Sequence, residues 1–281
     1  MSHMGEPSVE SLSSRDFKRL AEFIQAHAGI KMPPAKRSML EGRLRSRVRA
    51  LGLGGLKDYC RLLFEDDGWD DEAPHLIDAV TTNTTAFFRE PAHFRILVEA
   101  ALPALASRGI GIERPLAAWS AAASIGAEAY SLAMVLADFA ANFRFSVLGT
   151  DICSKVLEIA KAAIYAEQMI EPVPMEMRQR YLRRSKDPEQ SNVRISPDLR
   201  SHVAFTKLNL IEGPHDLKLA ADIVFCRNIL IYFNRDNQFK ALTDICRHLL
   251  PGGYFFVGHS ESLTGFDLPL RQVAPATFLR T

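Results

Sequence analysis

Three things are missing from this sequence, and each absence closes off a class of function. No apolar run approaches the roughly 18–20 residues that a membrane-spanning helix needs. The amino-terminal stretch also has no apolar region of the kind a secretory leader carries. The four cysteines, Cys60, Cys153, Cys226 and Cys246, are scattered with no CxxC pair, a pattern of reduced thiols rather than of a disulfide framework or a zinc site. An excess of charge of one sign is absent too: 34 Lys and Arg against 33 Asp and Glu leave a formal net charge of +1. That excludes a whole-molecule polyanion binder, so any electrostatic function must come from local patches. The expectation is a cytoplasmic enzyme or regulator without internal repeats or low-complexity tracts.

What is present is an ordinary globular balance, 47% hydrophobic and 24% charged over 281 residues, enough chain for a large domain beside a smaller one. Met1-Ser2-His3-Met4 reads as a cloning remnant, and residues 1–11 as a disordered tail. Residues 12–75 read as a helical domain. Ser14 can cap a helix carrying Phe17, Leu20, Phe23 and Ile24, and Gly29 ends it. A second helix turns Met39, Leu40, Leu44, Val48 and Leu51 inward, a third runs near Leu56–Phe64, and an acidic loop extends from Glu65 to Glu72. Pro74 to Ala106 reads as two further helices broken at Thr81–Thr85 and at Pro91.

Residues 76–281 change texture. Strands are expected at 115–121, 145–150, 221–226 and 254–258, with helices at 126–140, 154–163 and 235–250, and Val273–Leu279 as a final edge strand. Such alternation implies a parallel, doubly wound, Rossmann-like sheet. Residues 166–202 interrupt it with Pro172, Pro174, a basic cluster (Arg178, Arg180, Arg183, Arg184, Lys186), Pro188 and the alternating Val193-Arg194-Ile195. They read as a small inserted subdomain of short antiparallel strands.

In an open α/β sheet, ligands bind beyond the carboxyl ends of the strands. Three strand ends carry polar groups here. The first leads into Ser120-Ala-Ala-Ala-Ser-Ile-Gly126-Ala-Glu128, whose small residues allow close approach to the backbone and whose helix start favours an anion. It is not a GxGxxG loop, and a tight turn explains it equally well. The second ends at Gly149-Thr150-Asp151, where an acid can accept from ribose hydroxyls or simply cap the next helix. The third ends in Cys226-Arg227-Asn228 before the apolar Ile229–Phe233, polar groups that need partners if desolvated.

Four segments resemble the chemotaxis receptor methyltransferases, the CheR family: Thr82-Asn-Thr-Thr-Ala-Phe-Phe-Arg-Glu90, Trp119-Ser-Ala-Ala-Ala-Ser-Ile-Gly-Ala-Glu-Ala-Tyr-Ser131, Phe225-Cys-Arg-Asn-Ile-Leu-Ile-Tyr-Phe233 and Gly258-His-Ser-Glu-Ser262. They stand in the family's order, and the likeness runs from about Phe17 to Phe278. It implies an amino-terminal helical domain, a methyltransferase domain that uses S-adenosylmethionine (SAM) and releases S-adenosylhomocysteine (SAH), and methyl transfer to glutamate side chains of bacterial chemoreceptors. By the same resemblance, Asn83, Thr85 and Arg89 lie over the cofactor's methionine end, and Glu128 binds its amino group. Asp151 takes the ribose and Asn209-Leu210 lies beside the adenine. Cys226, Arg227 and Asn228 are strand-end contacts, and Tyr232 lies near the reactive methyl. The family's Gly-Glu-Glu-Pro-Tyr is Gly126-Ala-Glu-Ala-Tyr130 in this chain. The lost proline should loosen the helix start and bears on cofactor affinity.

A carboxylate nucleophile is already ionised near neutral pH, its reference pKa being about 4.3, so no general base, triad or metal is expected. Arg89 and Tyr232 are the expected catalytic residues, Arg89 orienting a carboxylate and Tyr232 packing by the methyl. Lys36, Arg43 and Arg47 share one stripe of the second helix, and Arg37, Arg45 and Arg49 another. The stripes read either as a solvated face or as a docking surface for the acidic cytoplasmic helices of receptors. The absence of interleaved aromatics argues against nucleic acid. In some family members the insertion also tethers a receptor's carboxyl-terminal peptide by strand addition. The family's setting implies a cytoplasmic protein recruited to membrane-bound receptor arrays. The alternatives are a SAM- or SAH-binding regulator or scaffold that has lost catalysis, and a methyltransferase for another substrate.

Overall fold

The computed structural model describes residues 11–66, 68–185, 187 and 191–281. The expected tail thus lies outside the described residues except for Ser11, and so do Lys186 and Pro188 of the basic cluster. The chain divides into two compact units, residues 1–82 and 83–281.

The first unit is helical: α1 (Ser14–Ala28), α2 (Arg37–Ala50), α3 (Leu56–Phe64) and α4 (Trp69–Val80). The cap of α1 is Ser13, one residue before the expected Ser14; its hydroxyl accepts from the Asp16 amide. Gly29 ends the helix at φ 71°, a left-handed conformation that suits glycine. Phe17, Leu20, Phe23 and Ile24 are buried as their spacing implies, whereas Leu51 is exposed because α2 has already ended. The acidic stretch is non-helical at Glu65, Asp66 and Gly68, as expected, but helical from Trp69 onward. Asp70, Asp71 and Glu72 form the first turn of α4, where carboxylates complement the helix dipole, and Pro74 lies inside the helix rather than at its start. Since α4 runs straight through residue 75, the units part after Thr82 instead.

One ion pair ties this unit together. Glu72 is almost fully buried and accepts from Arg47 Nε at 2.8 Å and Nη2 at 2.7 Å, and from the Tyr59 hydroxyl at 2.9 Å. Burial, then Glu72, pushes the Tyr59 phenol well above its usual range, so it stays a donor. Arg43 caps the end of α4, donating to the carbonyls of Val80 and Thr81 and to the Thr82 hydroxyl. Arg45 and Arg49 are exposed.

The second unit begins with α5 (Pro91–Ile96), which passes through a π-helical turn into α6 (Leu102–Ala106). Then come β1 (Leu116–Ala121), α7 (Ala127–Phe139), β2 (Phe145–Asp151), α8 (Ser154–Ala162), β3 (Ile164–Ala166), α9 (Met175–Tyr181), β4 (Leu182–Arg184), β5 (Asn192–Ile195) and α10 (Pro197–Arg200). The chain ends with β6 (Val203–Lys207), β7 (Ala221–Cys226), α11 (Arg235–His248), β8 (Leu249–Val257), β9 (Leu270–Ala274) and β10 (Thr277–Arg280). The main sheet runs β6-β2-β1-β7-β8-β10-β9. Its first five strands are parallel, and β10 and β9 are antiparallel. The fold is therefore the doubly wound, Rossmann-like one expected, with the inserted antiparallel sheet β3-β5-β4.

Two details differ from the sequence reading. The last strand is a hairpin, and β10 lies inside the sheet between β8 and β9. No strand was expected at β6, a short edge strand whose side chains are half or fully exposed and so leave little apolar signal. The core is aromatic: Trp119, Phe225, Phe255 and Phe256 are fully buried, with the Phe225 and Phe256 rings stacked at 4.4 Å. From β1 the chain goes to β2 on one side and later returns to β7 on the other, so the reversal point of the sheet lies between β1 and β7.

Removing Arg47 strands the Glu72 charge in the helical unit. Arg47→Ala should cost about 3 kcal/mol in urea unfolding, while Arg45→Ala at the exposed face should stay within about 0.5 kcal/mol. Equal effects would refute the structural role of the pair.

Candidate functional site

The carboxyl ends of β1 and β7 carry loops with unusual backbone. Ala122 and Ser124 after β1, Asn228 after β7, and Phe88 and Glu90 in the segment before α5 all have φ between 52° and 68°. Non-glycine residues in the left-handed region cost on the order of 1 kcal/mol or more, and they persist where surrounding bonds over-determine them. Those bonds are specific here.

Arg227, the first residue after β7, is their hub. Its side chain is nearly inaccessible to solvent and donates from Nε to Glu128 Oε2 at 2.7 Å. Its Nη1 donates to the Arg89 carbonyl at 2.6 Å and to His93 Nδ1 at 3.2 Å, and lies 3.6 Å from Glu90 Oε2. Phe225 and Phe94 flank the guanidinium, 5.2 and 5.7 Å from their ring centres. The other Glu128 oxygen accepts from the Ser120 hydroxyl at 2.6 Å. A buried cation between two carboxylates is tolerable only because every one of these bonds is made.

Glu90 binds the β7 loop from the opposite side, accepting from the Asn228 amide at 3.1 Å and from the His259 backbone at 3.3 Å. Burial works against its ionisation, but Asn228, Arg227, His259 and His93 together hold it below the usual carboxylate range. Burial and then Arg227 push His93 down to about 4, leaving a neutral imidazole that accepts the Arg227 proton. Among the described residues, Glu90, His93 and His259 bring possible metal-ligand atoms within 4.8 Å of one another. Arg227 already takes up His93 Nδ1 and lies against Glu90, so the cluster is arranged around a guanidinium.

A second carboxylate fixes the same loop. Glu261 accepts from the backbone amides of Asn228 at 2.8 Å, Leu230 at 2.7 Å and Gly258 at 2.6 Å. Burial pushes it above the usual range against the backbone donors of Asn228, Gly258, Leu230 and Ile229. The short 3₁₀ turn Leu230–Tyr232 follows, with the Tyr232 side chain half-buried.

On the β1 and β2 side, Asp151 takes the Ser124 amide on one oxygen at 2.8 Å and the Cys153 amide on the other at 2.9 Å, joining the two strand ends. The Asn83 carbonyl accepts from the Ser124 hydroxyl at 2.9 Å, and the Asn83 amide reaches Cys153 Sγ at 3.7 Å. Arg89 is half-exposed, donating to the Thr84 carbonyl at 3.1 Å; Thr85 is also half-exposed. Leu210 is buried, and the Asn209 amide donates to Glu212 at 2.8 Å. Cys226 is sealed from solvent, and burial followed by Glu261 and Glu128 pushes its thiol far up, which disqualifies it as a nucleophile at neutral pH. Helix α7 begins at Ala127 without the proline, because Ala127 and Ala129 are fully buried and packing holds the first turn.

The fold thus brings Arg89, Glu128, Arg227 and Asn228 into one bonded network and Asn83 and Asp151 into a second through Ser124 and Cys153, while Lys36, Arg37, Arg43, Arg45, Arg47 and Arg49 belong to the other unit. Sequence reasoning gave no role to Glu90, His93, Ser120 or Glu261. Glu90, Ser120 and Glu261 stand inside the quoted motifs, and an acid within an otherwise apolar or glycine-containing loop was the available signal. His93 left none.

The residues match two family models over nearly the whole chain: "CheR methyltransferase, all-alpha domain" at 15–81 and "CheR methyltransferase, SAM binding domain" at 83–278. A chemotaxis protein methyltransferase of Salmonella typhimurium is 39% identical, spanning 90% of this chain and 86% of its own. Its counterpart from Escherichia coli is 38% identical over 92% and 87%. Chemotaxis protein methyltransferase 2 of Pseudomonas aeruginosa is 34% identical over 94% and 92%.

The neutral, buried His93 makes a prediction for stability. The unfolded chain takes up a proton near pH 6.5 and the folded one only near 4, so the unfolded state binds more protons between these values. Stability should therefore fall as pH drops from 6.5 to 4.5, by about 2 kcal/mol from this group. Below that window Glu90 adds a loss of the same sign as it protonates. Urea midpoints of a His93→Gln variant, which keeps a neutral acceptor, should lack this slope; parallel slopes in the two proteins would contradict it.

Proposed function

The chain belongs to the CheR methyltransferase family, and on that footing we propose that it transfers the methyl group of SAM to glutamate side chains of chemoreceptors. The observation that carries the proposal is the pair of bonded networks at the carboxyl ends of β1, β2 and β7. It places two carboxylates, Glu128 and Asp151, on either side of a run of small residues, Ala121–Ser124. That donor set fits SAM: an acid for an ammonium, an acid for vicinal hydroxyls, and backbone that a ligand can approach closely.

In this reading Glu128 holds the cofactor's amino group, with acceptor capacity beyond its bonds to Ser120 and Arg227. Asp151 holds the ribose, and Asn209 and Leu210 flank the adenine. Asn83, Thr85 and Arg89 cover the methionine end. Arg227 and Asn228 keep the β7 loop in register with them, with Cys226 as a small contact at the strand end. SAM supplies an electrophilic methyl on sulfur. Arg89 orients the incoming carboxylate, and Tyr232 excludes water beside the methyl. When bound, SAM would supply a methyl that the glutamate oxygen could take as the carbon–sulfur bond breaks, the electron pair leaving with SAH. Opposite charges are neutralised along this path, so a dry site helps. Positioning of this kind supplies up to about 7–11 kcal/mol.

Receptor docking is proposed on α2. Arg43 and Arg47 are occupied within the helical unit, so the exposed Arg45 and Arg49 carry most of the surface charge, with half-exposed Lys36 and Arg37, the latter 3.3 Å from Glu41, adding to it. Among the described residues no helix is long and apolar enough to cross a membrane, which fits recruitment to the cytoplasmic helices of receptors. The exposed edges of the inserted sheet offer strand pairing to a receptor's carboxyl-terminal peptide.

The deciding measurement is transfer of labelled methyl from SAM to receptor-containing membranes, read as base-labile methyl esters. Transfer is expected, with Arg89→Ala lowering kcat on the order of 10²-fold. SAH binding without ester formation on any receptor would favour a regulator of the same fold. Reversal of Arg45 and Arg49 to Glu should raise the Michaelis constant for receptor several-fold and flatten its salt dependence. SAH affinity measured by calorimetry should not change; an unchanged Michaelis constant would move docking off this face.

A further inference from the structure

The loop after β6 is fastened by a buried histidine–aspartate pair outside the cluster described above. Asp244, on α11, is 5% exposed, and its carboxylate faces the His215 ring at Nδ1. The other ring nitrogen, Nε2, meets the carbonyl of Asn209 at 2.8 Å. The ring thus lies between the Asp244 carboxylate and the Asn209 carbonyl. His215 therefore bridges α11 to the backbone of Asn209. The His215 amide adds longer bonds of 3.3 and 3.4 Å to the same carboxylate. Arg247, a cation near Asp244, is solvent-exposed and lies 3.9 Å away. The approach is close: a Cβ on Gly213 would meet Asp244 Cγ at 3.0 Å and His215 Nδ1 at 3.2 Å.

We infer that His215 is a positioning residue for the adenine end of the cofactor, acting through the Asn209 backbone. This rests on the proposal that Asn209 and Leu210 flank the adenine. The Asn209 carbonyl also accepts from the Glu212 amide at 3.1 Å, and Leu210 is buried in the core that α11 shares. The peptide joining Asn209 to Leu210 is thus held from one side by packing and from the other by the His215–Asp244 pair. A peptide that carries the adenine-flanking Asn209 and Leu210 needs such an external strut, because core packing alone holds it from one side only.

The test separates positioning from stability. His215→Gln leaves Asp244 buried without its main partner, so the double variant His215→Gln/Asp244→Asn, with no buried charge left over, is the decisive one. Calorimetry with SAH should show at least a tenfold weaker Kd in the double variant. In the transfer assay the Michaelis constant for SAM should rise by the same factor, with kcat within about twofold. Gly213→Ala, which wedges the pair apart without removing it, should move the same readouts in the same direction. Asn209→Ala is the control. Wild-type SAH affinity in the double variant, with Asn209→Ala weakened, overturns the inference. Wild-type affinity in Asn209→Ala as well removes the adenine reading, and the inference with it.

Discussion

The second unit depends on one buried guanidinium. Arg227 gathers Glu128 from the start of α7, Glu90 and the Arg89 carbonyl from the segment before α5, and His93 from α5 itself. None of these partners is near it in sequence, and each is costly to bury alone. Held together they satisfy one another except at His93 Nε2, which is buried without a partner, and left-handed residues form the loops that close the network. The site's shape follows from electrostatic satisfaction more than from the hydrophobic core beneath it.

Arginine plays two parts in this protein, and burial decides which. Arg47 and Arg227 are internal struts, each bonded to a carboxylate that would otherwise be stranded. Arg45 and Arg49 stand in solvent on the same helix as Arg47. A helical wheel places all of the α2 cations in tidy stripes, yet Glu72 and the end of α4 withdraw Arg47 and Arg43 from the stripe they share with Lys36. Charge counts on a helix face therefore overstate what a partner meets.

Much of this was legible beforehand. The sheet and most of its strands followed from the alternation of apolar segments, because buried parallel strands leave strong signals. The edge strand β6 was lost because its side chains are exposed, and the acidic start of α4 passed for a loop because carboxylates suit both turns and helix beginnings. Around the candidate site, Glu128, Asp151 and Arg227 were singled out because polar residues at strand ends are chemically conspicuous. Glu261 was passed over although it anchors the β7 loop: its partners are backbone amides, which no sequence pattern displays. His93 was invisible for a related reason, since its value lies in a proton it does not carry.

The distances along the chain between the hub and its partners have a kinetic side. Arg227 and Glu128 are 99 residues apart, and Arg227 and the Arg89 carbonyl 138. The strands that bring them together are parallel neighbours joined by a long excursion through β2 and the inserted sheet. Contacts of such separation form late, after the entropy of closing the intervening loops has been overcome. No partly folded form with β1 and β7 unpaired can assemble the cluster. A molecule that binds only the assembled cluster would therefore require the finished sheet, and would draw the population toward the folded state by mass action.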